Sequence, residues 1–138
     1  STERMYLLDT VTVSQTLSRR ANTGALAWIA RQRPAQLFLS VVTIAEIRRG
    51  AVQVRARDPK FADRIDEWLT TTTSAFGDRI LPIGISIARV WGSLQANVGH
   101  GGEDVMIAAT ALDHDLTVVT RNTRDFAALG VKVENPFN

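Results

Sequence analysis

Leu116-Thr117-Val118-Val119-Thr120-Arg121-Asn122-Thr123-Arg124-Asp125 is the stretch on which the fold turns. Its first half is apolar and β-branched, as in a short buried strand, and its second half is polar, as at a helix start. Tyr6-Leu7-Leu8-Asp9-Thr10, near the other end of the chain, has the same form. Two strands that each run out into a polar turn carrying an aspartate fit neighbouring strands of one parallel sheet, with Asp9 and Asp125 at its carboxyl edge.

Working outward, further strand-like runs fall at 37–42, 80–83 and 131–134, and the first and fourth runs span 5–9 and 117–120. Stretches of helical periodicity separate them, which gives an α/β class with a mainly parallel sheet of about five strands. Leu17, Leu26, Trp28 and Ile29 mark helical segments broken near Asn22-Thr23-Gly24. Helices are expected over 43–57, over 59–76 with Gly77 as its stop, and over 86–98 closed by Gly99. The loop Gly99-His100-Gly101-Gly102 then leads into a small, apolar, centrally packed helix around 105–112. This loop lacks the Lys-Ser/Thr ending of a phosphate-binding loop and reads as a helix breaker. Trp28, Trp68 and Trp91 fall on apolar helix faces and read as core or interface residues rather than stacking platforms for bases.

The chain has 138 residues, 45% of them hydrophobic, which suits a single domain spanning 1–138 that buries a core without staples. It has no cysteine, which excludes disulfides, thiolate metal sites and a cysteine nucleophile; only His100 and His114 are available for a histidine-rich zinc site. No apolar run reaches the roughly 18 residues of a membrane span, and the segment before the first strand has no signal-peptide pattern, so a cytoplasmic protein is expected. The net charge is only +2, but Lys60 and Lys132 are the only lysines, and the remaining cations are guanidinium forks that suit phosphate oxygens.

Four acids, Asp9, Glu46, Asp104 and Asp125, stand at strand ends or helix starts. Each has a purely structural explanation. Thr43-Ile44-Ala45-Glu46 fits a capping box, Asn122-Thr123-Arg124-Asp125 a similar cap, Asp104 a helix-dipole partner, and Asp9-Thr10 a local turn. Capping, however, requires no two of these residues to meet, whereas the parallel topology brings all four towards one sheet edge. Crowded carboxylates call for a hard divalent cation such as Mg2+ or Mn2+, and the chemistry implied is metal-assisted hydrolysis.

Four ordered segments then carry a resemblance. Tyr6-Leu7-Leu8-Asp9-Thr10, Ser40-Val41-Val42-Thr43-Ile44-Ala45-Glu46-Ile47-Arg48-Arg49-Gly50, Glu103-Asp104-Val105-Met106-Ile107-Ala108-Ala109-Thr110-Ala111, and Val119-Thr120-Arg121-Asn122-Thr123-Arg124-Asp125-Phe126 closely resemble the PIN-domain family, and within it VapC toxins of the FitB-like branch. The resemblance extends over essentially the whole chain. It implies a three-layer α/β/α sandwich and a Mg2+-dependent ribonuclease, with Mn2+ as substitute, that is held in check by a VapB-type antitoxin. It further implies a homodimer, with operator DNA bound only through the antitoxin. Asp9, Glu46, Asp104 and Asp125 match the family's acidic quartet, with Asp9 and Asp104 the candidates for direct metal contact. Asn122 matches a polar position and Thr120 a supporting hydroxyl.

The chain departs from that pattern after Asp9-Thr10. Members similar to it carry Asn where Val11 stands and an acid where Gln15 stands, so Thr10, Thr12 or Ser14 must supply any hydrogen bond that Val11 cannot. Arg48, Arg49, Arg121 and Arg124 flank the acids and are the candidate RNA contacts, with a plain intrahelical Glu46–Arg49 pair as the alternative for Arg49. His100 is a weaker candidate. The rival readings are a catalytically silent PIN-like scaffold for RNA or protein, and a phosphotransfer receiver or small phosphatase. The latter lacks its Asp-x-Asp after the first strand and a lysine after a late one.

Overall fold

The computed structural model describes residues 3–99 and 102–138; His100 lies outside them. Strands β1 (Tyr6–Leu8), β2 (Leu37–Ser40), β3 (Ile80–Leu81), β4 (Thr117–Val119) and β5 (Val133–Glu134) form one sheet in the order β3-β2-β1-β4-β5. Every pairing is parallel. β1 is central, with Tyr6 and Leu7 opposite Leu37 and Phe38 on one side and opposite Thr117 and Val118 on the other. Chain progression from β1 runs outward through β2 and β3, whereas β4 and β5 lie on the opposite flank. The order therefore reverses between β1 and β4, which is where such sheets collect ligands at their carboxyl ends.

Alternation along β1 divides the core. Leu7 joins Val105, Ile107, Val118 and Phe126 on one face, while Tyr6 and Leu8 join Trp28, Leu39 and Ile47 on the other. Helices α5 (Ile85–Val98), α6 (Glu103–His114) and α7 (Thr123–Ala128) cover the first face. The second is covered by α1 (Thr10–Val13), α2 (Thr23–Arg31), α3 (Val41–Val54) and α4 (Pro59–Phe76). The result is the α/β/α sandwich expected, with both faces of a parallel sheet buried.

The boundaries differ from the sequence expectation in instructive places. β2 stops at Ser40, because the Ser40 hydroxyl accepts the Val42 N–H at 3.0 Å and starts α3 at Val41. The run at 80–83 yields only Ile80–Leu81, since Pro82 has no N–H for a ladder. α3 ends at Val54, short of Arg57, and α4 begins at Pro59 under an Asp58 cap to the Phe61 N–H at 3.1 Å. α6 is longer at both ends than its apolar stretch and stops where Asp115 turns left-handed at φ 54°. Trp28 is a core residue, edge-on to Tyr6 at 4.8 Å, and Trp68 and Trp91 pack against the two core clusters. No described helix is long and apolar enough to cross a membrane.

Candidate active site

Asp9 is the innermost of the four acids, only 6% exposed at the end of β1. Its Oδ1 accepts the Thr12 N–H at 2.9 Å, so the local-cap reading is realised: Asp9 is the N-cap of α1. Its Oδ2 accepts the Thr120 hydroxyl at 2.6 Å across the β1–β4 boundary. Thr120 is itself fully buried, and its Oγ1 accepts the Asn122 N–H at 2.9 Å. Each carboxylate oxygen thus has one donor and retains acceptor capacity. Thr12 adds a second clamp, donating its hydroxyl to the Val119 carbonyl at 2.9 Å.

Glu46 is half-buried in the second turn of α3. It does not reach back to the Thr43 amide as a capping box would, because the helix begins earlier, at Val41. Its Oε1 accepts the Thr10 hydroxyl at 2.5 Å, and Thr10 Oγ1 lies 2.9 Å from the fully buried Thr43 Oγ1. Burial pushes the Glu46 carboxyl above its ordinary range. The Thr10 hydrogen bond opposes this, the charge of Glu103 adds to it, Arg49 opposes it, and Asp104 adds to it again. Glu46 therefore sits within the field of two carboxylates from the start of α6.

Asp104 occupies the exposed first turn of α6, and Asp125 the exposed first turn of α7. Both line one cleft of about 240 Å³ with Val98, Ala128 and Leu129. Asn122 does not cap α7 with its side chain; its Nδ2 donates instead to Asp125 Oδ2 at 2.9 Å. The four acids are thus joined in a ring. Thr10 ties Glu46 to the residue beside Asp9, Thr120 and Asn122 tie Asp9 to Asp125, a shared cleft joins Asp125 to Asp104, and charge couples Asp104 to Glu46.

All these side chains offer oxygens, the ligand chemistry that suits Mg2+ or Mn2+, and the charges of Glu103 and Asp104, which add to the effect of burial on Glu46, are what a cation would relieve. Among the described residues, no three acidic or histidine side chains stand arranged to enclose an ion. Asp9 is fixed by its two donors, whereas Asp104 and Asp125 are exposed and Glu46 is half-buried.

The flanking arginines are largely engaged. Arg48 pairs with Asp66 at 2.5 Å, and Arg49 pairs with Glu103 at 3.1 Å rather than forming the intrahelical pair with Glu46. The Arg121 guanidinium lies 4.4 Å from the centre of the Phe137 ring. Arg124 is exposed and in no ion pair among the described residues. Of the departing positions, Val11 is half in solvent at 49% exposure, and Gln15 binds the Val11 carbonyl and the Asn22 N–H at 3.0 and 2.8 Å. Thr10 directs its hydroxyl to Glu46, and Thr12 and Ser14 direct theirs to the Val119 and Thr10 carbonyls, so Asp9 takes its hydrogen bonds from the Thr12 N–H and the Thr120 hydroxyl instead. Sequence reasoning missed Thr43 and Glu103. Thr43, three residues before Glu46 on one helix face, carried a legible spacing.

A PIN domain model matches residues 6–132. VapC ribonuclease Y4jK of Sinorhizobium fredii is 33% identical, covering 96% of this chain and 98% of the relative. Toxin FitB of Neisseria gonorrhoeae is also 33% identical, over 97% and 99%. The crystal structure of FitAcB from Neisseria gonorrhoeae superposes with a TM-score of 0.84 at 35% identity over 96% of this chain and 98% of that one. A toxin-antitoxin complex from Klebsiella pneumoniae gives a TM-score of 0.70 at 27% identity over 96% and 98%.

Proposed function

The chain belongs to the PIN-domain family, and on that footing we propose that it is a metal-dependent ribonuclease toxin of a VapBC-type pair, neutralised by a cognate antitoxin. The observation that carries this reading is the ring of four acids at the point where strand order reverses. Similarity to a VapC ribonuclease, to a FitB toxin and to a toxin-antitoxin complex supports the RNA substrate and the protein partner. A cytoplasmic homodimer that meets operator DNA only through its antitoxin completes the proposal.

Asp9 and Asp104 would hold a Mg2+ or Mn2+, with Asp125 and Glu46 beside them. Such an ion supplies acidification of water and neutralisation of charge at the phosphate. The protein's own groups do the positioning. Thr120 and the Thr12 amide hold the Asp9 carboxylate still, Asn122 fixes the rotamer of Asp125, and Thr10 occupies one oxygen of Glu46 and leaves the other to accept a proton from the attacking water. Water adds to phosphorus as one of its protons passes to Glu46, the P–O3′ bond breaks, and the 3′ oxygen takes a proton from solvent while Glu46 returns its own to solvent, giving a 5′ phosphate and a 3′ hydroxyl. Among the flanking arginines, Arg124 is the cation left available to the RNA, while Arg48 and Arg49 are occupied by Asp66 and Glu103.

The test is purified protein, freed of antitoxin, incubated with single-stranded and structured RNA in Mn2+. Cleavage that is lost in Asp104→Asn supports the proposal. A folded protein that binds RNA or protein but cuts nothing would establish the silent scaffold instead.

A further inference from the structure

Beside the acid ring, two hollows run together into one groove. The first has Thr10 and Glu46 at its head and a floor of Leu17, Ile47, Phe61 and Ile65. The second continues past Ser18 and Phe61, which both hollows share, to Arg19 and Arg20. The groove is acidic at the catalytic end, apolar along its middle and cationic at its far end. Arg19 lies 4.2 Å from the centre of the Phe61 ring and spends its charge on Asp58 at 3.2 Å. Arg20 is exposed, and its guanidinium is in no ion pair among the described residues. The Arg20 backbone N–H donates to Ser18 Oγ at 3.2 Å, which leaves the Ser18 hydroxyl proton free to donate elsewhere.

We infer that this groove is the subsite for the nucleotide flanking the cut, a reading that rests on the ribonuclease function above. With the scissile phosphodiester at the acids, the neighbouring base lies over the apolar floor and stacks on the Arg19 guanidinium, which itself covers the Phe61 ring. Its ribose 2′-hydroxyl accepts from Ser18, and the next phosphate meets Arg20. Phosphates need cations; around the acids Arg48 and Arg49 are neutralised by carboxylates and Arg121 is stacked on Phe137, so the guanidinium groups left unpaired here, among the described residues, are Arg124 beside the acids and Arg20 at the groove's far end. A hydroxyl donor along the path is the feature by which a protein tells ribose from deoxyribose, and a guanidinium plane accepts any base face. The order of acid, apolar floor, hydroxyl and cation matches a sugar-phosphate chain leaving the cleavage point.

The experiment measures Mn2+-dependent cleavage of a short single-stranded RNA as a function of salt by the full-length protein and by Arg20→Ala, Ser18→Ala and Arg89→Ala. Arg89 lies exposed on α5, among the helices covering the other face, and serves as the control. The expected result is a KM raised about three- to tenfold in Arg20→Ala, with a salt slope smaller by about one ion, and neither change in Arg89→Ala. Ser18→Ala should lose preference for the substrate over one with a 2′-deoxy sugar at the flanking position, and wild type should bind an RNA abasic there about tenfold more weakly. Wild-type cleavage with Arg20→Ala indistinguishable from Arg89→Ala overturns the subsite and leaves the nuclease standing. No wild-type cleavage removes the nuclease reading and the subsite with it. If Arg20→Ala weakens only the hold on a co-expressed antitoxin, the groove belongs to a protein partner and the inference fails.

Discussion

The two halves of the acid ring are built differently. Asp9 and Thr120 are enclosed by the two central strands, 6% and 0% exposed, and each is fixed by hydrogen bonds that also join secondary-structure elements. Asp104 and Asp125 stand on exposed first turns of α6 and α7, outside the core. One half is therefore part of the fold and the other is presented by it. Substitutions should separate the two: on the buried half stability and catalysis fall together, whereas on the exposed half catalysis falls alone.

The largest separation is expected between Asp104→Asn and Asp9→Ala. Both should lower RNA cleavage by at least about a hundredfold through loss of a proposed metal ligand. Asp104→Asn should unfold with the wild-type midpoint. Asp9→Ala removes the α1 cap and leaves the buried Thr120 hydroxyl without its acceptor, which together cost about 2–4 kcal/mol in chemical denaturation. Equal stability losses for the two variants would break the contrast.

A step smaller is Thr120→Val, which keeps the shape but removes the donor to Asp9. Loss of about 1–2 kcal/mol with cleavage down about tenfold would show that the clamp is shared by fold and site. Thr43→Val is milder still. It removes the hydroxyl behind Thr10, so kcat should fall several-fold with KM unchanged, and Thr43→Ser should restore it. A change in KM instead would place Thr43 in substrate binding.

The smallest effect is a pH-dependent one at Glu46. A carboxyl with its folded pKa above the unfolded value binds more protons in the folded chain, so its stabilising contribution is full below the unfolded pKa and is lost as pH rises through the folded one. Burial raises Glu46 from 4.5. Glu46→Gln should therefore melt slightly higher than wild type at neutral pH, with the difference vanishing as pH falls below about 4.5. The opposite sign would mean that Arg49 and Thr10 outweigh burial.

Much of this was legible in the chain. The repeated form of an apolar β-branched run followed by Asp placed Asp9 and Asp125 at one edge, because parallel strands must deliver their carboxyl ends to the same side. The start of α3 was misread because Val41 and Val42 are strand formers by propensity, and the Ser40 cap overrides them. That two-residue shift moved Glu46 from a cap into the second turn and hid its bond to Thr10. The arginine partners were not legible for a different reason. Arg48 meets Asp66 and Arg49 meets Glu103 across helix pairs, and sequence spacing gives no register between packed helices.

The central claim is that the buried and exposed halves close around one divalent site. Anomalous diffraction from Mn2+-soaked crystals tests it most directly. The account predicts density between Asp9 and Asp104, with Asp125 and Glu46 turned towards it, and its loss in Asp104→Asn. Manganese found only at other carboxylates, such as Asp63, Asp66 and Glu67 on α4, with none at Asp9, would contradict it.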